Sequence, residues 1–200
     1  VSLTVTDGLG NSDTKTITNM VTVVDDCPPC ESFGNMAWNT AVTLVDFNGI
    51  FNATGKTQPY SDYTESLSST IEIGSAYDLS VNVNTDGNYT VYATAWIDWN
   101  QDNDFNDPGE MLGLGTSSSA TALLVTSINF TVPGTALTGN TRMRVIVKEG
   151  GAANDPCSIY TWGETEDYTV TVVAGAPMSY VSSTVSQAST SSVVQCSNDQ

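Results

Sequence analysis

Period-two alternation, cut at short intervals by turn pairs, constrains this chain more than any other feature. Its strand candidates are 41–47, 70–73, 78–83, 89–99, 111–114, 123–132, 141–147 and 165–173. Asn48-Gly49, Asp86-Gly87-Asn88, Pro133-Gly134, Gly139-Asn140 and Gly150-Gly151 stand between them as turn signals. No segment repeats at helical spacing. Short strands in this rhythm predict an all-β fold, an antiparallel, jelly-roll-like β-sandwich. In 89–99 the alternation places Val91, Ala93, Ala95 and Ile97 on one face and Tyr92, Thr94 and Trp96 on the other. Both faces of that strand are therefore expected to be partly covered.

Composition narrows the function classes. Hydrophobic residues make up 40% of the 200, enough for a buried core. The formal net charge is −17 with five Lys and Arg, so nucleic acid and anionic membrane are poor partners, because their phosphates would be repelled. Histidine is absent, which removes Ser-His-Asp and Cys-His nucleophilic systems and any His-ligated metal. No run approaches the roughly eighteen apolar residues of a membrane span. The cysteines are Cys27, Cys30, Cys157 and Cys196, which allow three pairings. Few lysines and many Thr, Ser and Asn suggest an extracellular setting, where disulfides persist. Cys27-Pro-Pro-Cys30 has redox spacing but no surrounding βαβ pattern, so a structural role is expected.

The stretch 98–110 is chemically the richest. It holds Asp98, Asp102, Asp104, Asp107 and Glu110, interleaved with Asn100, Asn103 and Asn106, and contains no Lys or Arg. Oxygens at Asp98, Asn100 and Asp102 follow the spacing that opens a calcium loop. Asn103 stands at the sixth position, where a sharp turn usually takes Gly. Calcium needs six to eight oxygen ligands, and this loop offers most of them. Gly109 occupies the twelfth position, so Glu110 has to reach from the thirteenth. The flanks read as strands, so the loop is not an EF-hand. The competing reading is a solvated acidic hairpin tip.

The ends read differently from the middle. Residues 1–24 alternate on either side of an Asp7–Asn11 turn and form a hairpin, too small to bury a core alone. Residues 25–29 form a stiff Pro-containing linker, 174–177 a second one, and 178–200 the opening of a further β domain. The chain is thus expected to be a window from a longer array. Three Asn-x-Thr triplets (Asn52, Asn88, Asn129) are what β-rich sequences produce by chance.

Four motifs in order then meet a known pattern. They are Tyr60-Ser-Asp-Tyr-Thr64; Trp96–Phe105 with Gly109-Glu110; Thr141-Arg-Met-Arg-Val145; and Gly163-Glu-Thr-Glu-Asp-Tyr-Thr-Val170. With them, 30–173 resembles the GEVED domain, a module of secreted and surface proteins of Bacteroidetes-type bacteria. Thr165 stands where that family usually has Val, and Asn103 where it usually has Gly. The resemblance implies a non-catalytic module found beside peptidases, adhesins and repeat arrays. It also implies a Cys30–Cys157 disulfide, which leaves Cys27 and Cys196 over. Residues 1–24 resemble the last strands of a PKD-type immunoglobulin-like domain.

Two further groups compete for roles. Glu164 and Glu166 share one strand face and Asp167 lies on the other. The two glutamates fit a second calcium shell beside the acidic loop, an acid/base pair, or an exposed ladder. Arg142 and Arg144 are available to neutralise part of the cluster. Trp38, Trp96, Trp99, Trp162, Tyr60 and Tyr63 suit a core, although Trp99 and Trp162 flank acidic motifs and are the candidates for glycan stacking. The expectation is a calcium-stabilised, non-catalytic β-sandwich module of an extracellular, secreted or cell-surface protein, serving adhesion, spacing or fibrous assembly. Its metal ligands would be Asp98, Asn100, Asp102, Asp104, Asp107, Glu110, Glu164 and Glu166. Its partners would be neighbouring domains or identical copies. A carbohydrate-binding module attached to a secreted hydrolase is the alternative, favoured by exposed coplanar aromatics beside the calcium loop.

Overall fold

The computed structural model describes residues 2–16, 29–118 and 126–175. Cys27, Cys196, residues 17–24 of the expected hairpin and the segment 178–200 lie outside them. Twelve strands are described: β1 Ser2–Thr6, β2 Ser12–Thr16, β3 Ala41–Phe47, β4 Ile50–Ala53, β5 Tyr60–Asp62, β6 Ser68–Glu72, β7 Ala76–Asn84, β8 Val91–Ile97, β9 Met111–Ser117, β10 Thr126–Thr131, β11 Gly139–Glu149 and β12 Gly163–Val173. β1 and β2 pair as the expected hairpin. β10, β7, β3 and β4 form one antiparallel sheet in that order. The second sheet runs β5, β12, β11, β8, β9, with β6 also on β12. The fold is an all-β sandwich.

β5 and β6 pair with β12 in parallel, one after the other along the same edge. The turn between them is closed by Leu67 N–H donating to Tyr63 C=O at 2.8 Å. β5 spans three residues and β4 four, too short for alternation to reveal, and neither was anticipated. β4 forms with β3 a hairpin around Asn48 and Gly49, both at positive φ, as the Asn-Gly signal requires.

The core lies between the two sheets. Val42, Val45 and Phe47 of β3 and Leu79, Val81 and Val83 of β7 meet Val91, Ala93, Ala95 and Ile97 of β8, Met143, Val145 and Val147 of β11, and Tyr168, Val170 and Val172 of β12. The outer face of the larger sheet is covered as well. Trp96, Phe105, Ile146 and Ala153 form a second small cluster, with Tyr160 packed on it. Loops 29–34 and 150–162 lie over this outer face, joined by a Cys30–Cys157 disulfide with a Cα–Cα distance of 5.2 Å.

Candidate functional site

β8 delivers the chain into the acidic loop, and side chains of the loop itself wind it. Asp98 accepts the backbone N–H of Asp102 and of Asn103, at 3.3 and 3.1 Å. Asn100 accepts that of Asp102, Asp102 that of Asp104, and Asp104 that of Asn106. These Asx turns suit residues whose short polar chains reach two positions ahead. Asn103 takes a φ of 69°, the left-handed turn expected at that position, and Gln101 takes one of 58°. Glu110 closes the loop, accepting Trp99 N–H at 2.9 Å and Asp107 N–H at 3.3 Å.

Carboxylate oxygens of Asp102, Asp104 and Asp107 then lie within 4.8 Å of one another, a separation one cation can span. The Asn100 amide donates to both Asp102 and Asp107, at 2.8 and 2.6 Å. Two charges of the loop are buried beneath this group. Burial raises the Asp98 carboxyl above its usual range, against the amides of Asn103, Gln101 and Asp102 that pull it down. Burial likewise pushes Glu110 up to about 7, although the Trp99 and Asp107 amides oppose it. A multivalent cation would relieve both, because it favours the ionised forms. The donor set is all oxygen and fits a hard cation such as calcium.

The first five residues of β12 form the other candidate group. Gly163 has a φ of 146°, and a Cβ there would lie 2.1 Å from Val147 O, so only glycine lets β11 and the loops close over this end. Glu164 and Glu166 pair with Val147 and Val145, and they face the sandwich interior together with them. Both are fully buried. Glu164 accepts Val42 N–H at 3.2 Å and the Ser61 hydroxyl at 3.3 Å. Glu166 accepts the Thr54 and Tyr168 hydroxyls, at 3.0 and 2.6 Å. Burial, reinforced by the neighbouring Glu166 charge, pushes Glu164 up to about 8.

Asp167 faces the opposite way and is equally buried. Arg144 grips it with two parallel bonds of 2.8 Å, Arg142 adds one at 2.9 Å, and the Tyr60 hydroxyl donates a fourth at 2.9 Å. The remaining Arg144 nitrogen donates to the carbonyls of Cys30 and Pro156, both at 2.9 Å. Its guanidinium carbon lies 5.3 Å from the centre of the Phe105 ring. One arginine thus ties β12, both disulfide-linked loops and the acidic loop to the same sheet. Thr165 shares this face, its hydroxyl paired with those of Ser32 and Tyr160.

This geometry can be set beside known proteins. Residues 92–171 match the family model of the GEVED domain. No curated protein matches the chain. The match takes in the acidic loop, both arginines and the Gly163–Asp167 motif that gives the GEVED pattern its signature.

Two expectations need correction. Glu164 and Glu166 do not join the acidic loop; they lie inside the sandwich, held by β3, the segment after β4, β5 and β12 itself. The arginines offset Asp167 on the far side of the sheet and not the glutamates. Trp99 is not an exposed stacking residue: it is 5% exposed, its indole N–H donates to Gly109 O, and its ring packs against Phe130. Trp162 does stand at the surface, 40% exposed. Alternation separated the faces of β12 correctly and in β8 pointed to cover on both faces, but it cannot tell which segments supply the cover. The Arg144–Asp167 pairing was legible only as two charges on adjacent strands.

Proposed function

We propose that the chain is a calcium-stabilised, non-catalytic β-sandwich module of a secreted or cell-surface multidomain protein, serving adhesion, spacing or extracellular assembly. The observation that carries the reading is the convergence of Asp102, Asp104 and Asp107 in a loop that contains no Lys or Arg. Asp98, Asn100 and Glu110 stand in the same loop as further oxygen donors. Mutual repulsion of these charges is the cost a divalent cation removes. The match to the GEVED domain supports an extracellular β-rich module, and the disulfide agrees with an oxidising compartment. No helix among the described residues is long and apolar enough to cross a membrane.

The two glutamates of the motif support the non-catalytic reading. Glycoside hydrolysis needs two carboxyl groups facing substrate across a cleft, whereas Glu164 and Glu166 have no exposed surface.

Calcium titration followed by thermal melting tests the reading. At about a hundredfold saturation, binding stabilises by about 2.7 kcal/mol, so excess chelator lowers Tm measurably. Asp102→Asn combined with Asp104→Asn abolishes the calcium response while leaving the calcium-free Tm unchanged or higher. An identical melting curve with and without chelator refutes it.

A further inference from the structure

The end of the larger sheet away from the acidic loop carries a second feature, built from segments distant in sequence. Trp38 comes from the loop before β3, Asp86 and Tyr89 from the β7–β8 connection, Glu149 and Gly150 from the end of β11, and Trp162 from the residue before β12. Together they line one cavity of about 330 Å³. Its aromatic side chains are exposed: Trp38 46%, Tyr89 55% and Trp162 40%. The two indole rings lie 6.5 Å apart at an interplanar angle of 64°.

We propose that this cavity binds an alkylated ammonium group. Two indoles in edge-to-face contact and a phenol line a shared space, and Asp86 and Glu149 add formal negative charge at its wall. A quaternary ammonium spreads its charge over methyl groups, sheds water readily and is drawn to aromatic faces. The carboxylates are anchored from behind: Asp86 accepts Asn39 N–H at 3.0 Å, and Glu149 accepts the hydroxyl of the buried Thr40. Lys56 feels both charges, but its ammonium donates to the carbonyls of Asn35 and Trp38 and does not line the cavity.

The same geometry disfavours a sugar. Rings inclined at 64° make no flat platform on which a sugar ring could stack. It also disfavours a phosphate-bearing headgroup, which the two carboxylates would repel. The ligand class is therefore a trimethylammonium without an adjacent phosphate, carried either on a small alcohol such as choline or on a methylated lysine.

The test uses the whole chain and follows the four tryptophan indole N–H signals by NMR. Tetramethylammonium and choline should shift the Trp38 and Trp162 signals saturably and leave those of the buried Trp96 and Trp99 in place. A trimethyl-lysine peptide binding more tightly than choline assigns the carrier as protein, and the reverse assigns it as a small molecule. Trp162→Ala should weaken binding by about tenfold, and Glu149→Gln by a smaller factor, in chains that remain folded. Because Trp162 is at the surface, retained folding is expected and is checked by the Trp96 and Trp99 signals. Equal binding of the neutral analogue 3,3-dimethylbutanol, a saturable response to cellobiose instead, or no shift with any of these probes would each overturn the proposal. Calcium removal leaves the site intact, since roughly 20 Å of strand separates the two ends of β8.

Discussion

The two faces of β12 treat their carboxylates in opposite ways over only four residues. Outward, Asp167 is met by two guanidinium groups and a phenol. Inward, Glu164 and Glu166 are met by hydroxyls and one backbone amide. All three are fully buried. Burial without an opposite charge raises a carboxyl's proton affinity, whereas a buried ion pair needs both partners present. A motif that reads as one acidic run is thus two devices: an ion-pair clamp for the loops outside, and a hydrogen-bonded pair of raised proton affinity inside.

The clamp gives the largest expected effect. Arg144→Met strands Asp167 in the outer cluster with only Arg142 and Tyr60, and should cost about 3–5 kcal/mol in urea unfolding. Adding Asp167→Asn should recover much of that loss, because the uncompensated charge, and not the missing bond, dominates. If the double variant is as unstable as the sum of the two singles, the ion-pair description of the outer face fails.

The inner pair should show itself through pH. Glu164 has a folded pKa of about 8 against an ordinary 4.5. The folded state keeps a proton that the unfolded chain releases within this window. Its stabilising contribution is therefore complete below about 4.5 and is lost as pH rises through 8. The expected decline is at most about 5 kcal/mol. Glu110, also raised, contributes in the same direction, so the measurement is the difference between the chain and Glu164→Gln at saturating calcium. A Glu164→Gln variant whose stability falls with pH as steeply as the parent's would move the proton elsewhere.

How far this contrast could be read beforehand follows from what alternation encodes. It assigned Glu164 and Glu166 to one side of a strand and Asp167 to the other, and it placed Val91, Ala93, Ala95 and Ile97 together, as the core confirms. It is silent on what covers each side. The outer cover comes from loops 29–34 and 150–162, which carry no periodicity, so the glutamates were read as surface or loop-side residues. The acidic loop was more legible, because a left-handed turn at Asn103 and Asx acceptors act over two or three residues. The aromatic cavity was least legible: Trp38 and Tyr89 reach it from separate connections, and only Trp162 was singled out by its neighbours. Trp99 misled because an acidic neighbourhood in sequence says nothing of a ring that turns inward against Phe130.

The smallest effect probes how Glu166 is held. Tyr168 is buried, stacks on Tyr63 with ring centres 5.4 Å apart, donates to Glu166 at 2.6 Å and accepts from the Asn52 amide at 2.8 Å. Tyr168→Phe keeps the ring and its packing and removes only the hydroxyl, so the loss should be about 1–2 kcal/mol. Burial raises the Glu166 carboxyl, and the Tyr168 hydroxyl opposes that rise by bonding to the ionised form. Without the hydroxyl the folded state holds its proton to higher pH. The penalty should accordingly grow as pH rises, because only an ionised Glu166 misses its donor. Thr54→Val, which removes the donor to the other oxygen, should show the same sign. A penalty that does not change with pH would mean that the hydroxyl serves Asn52 alone, and that the inner pair rests on Glu164.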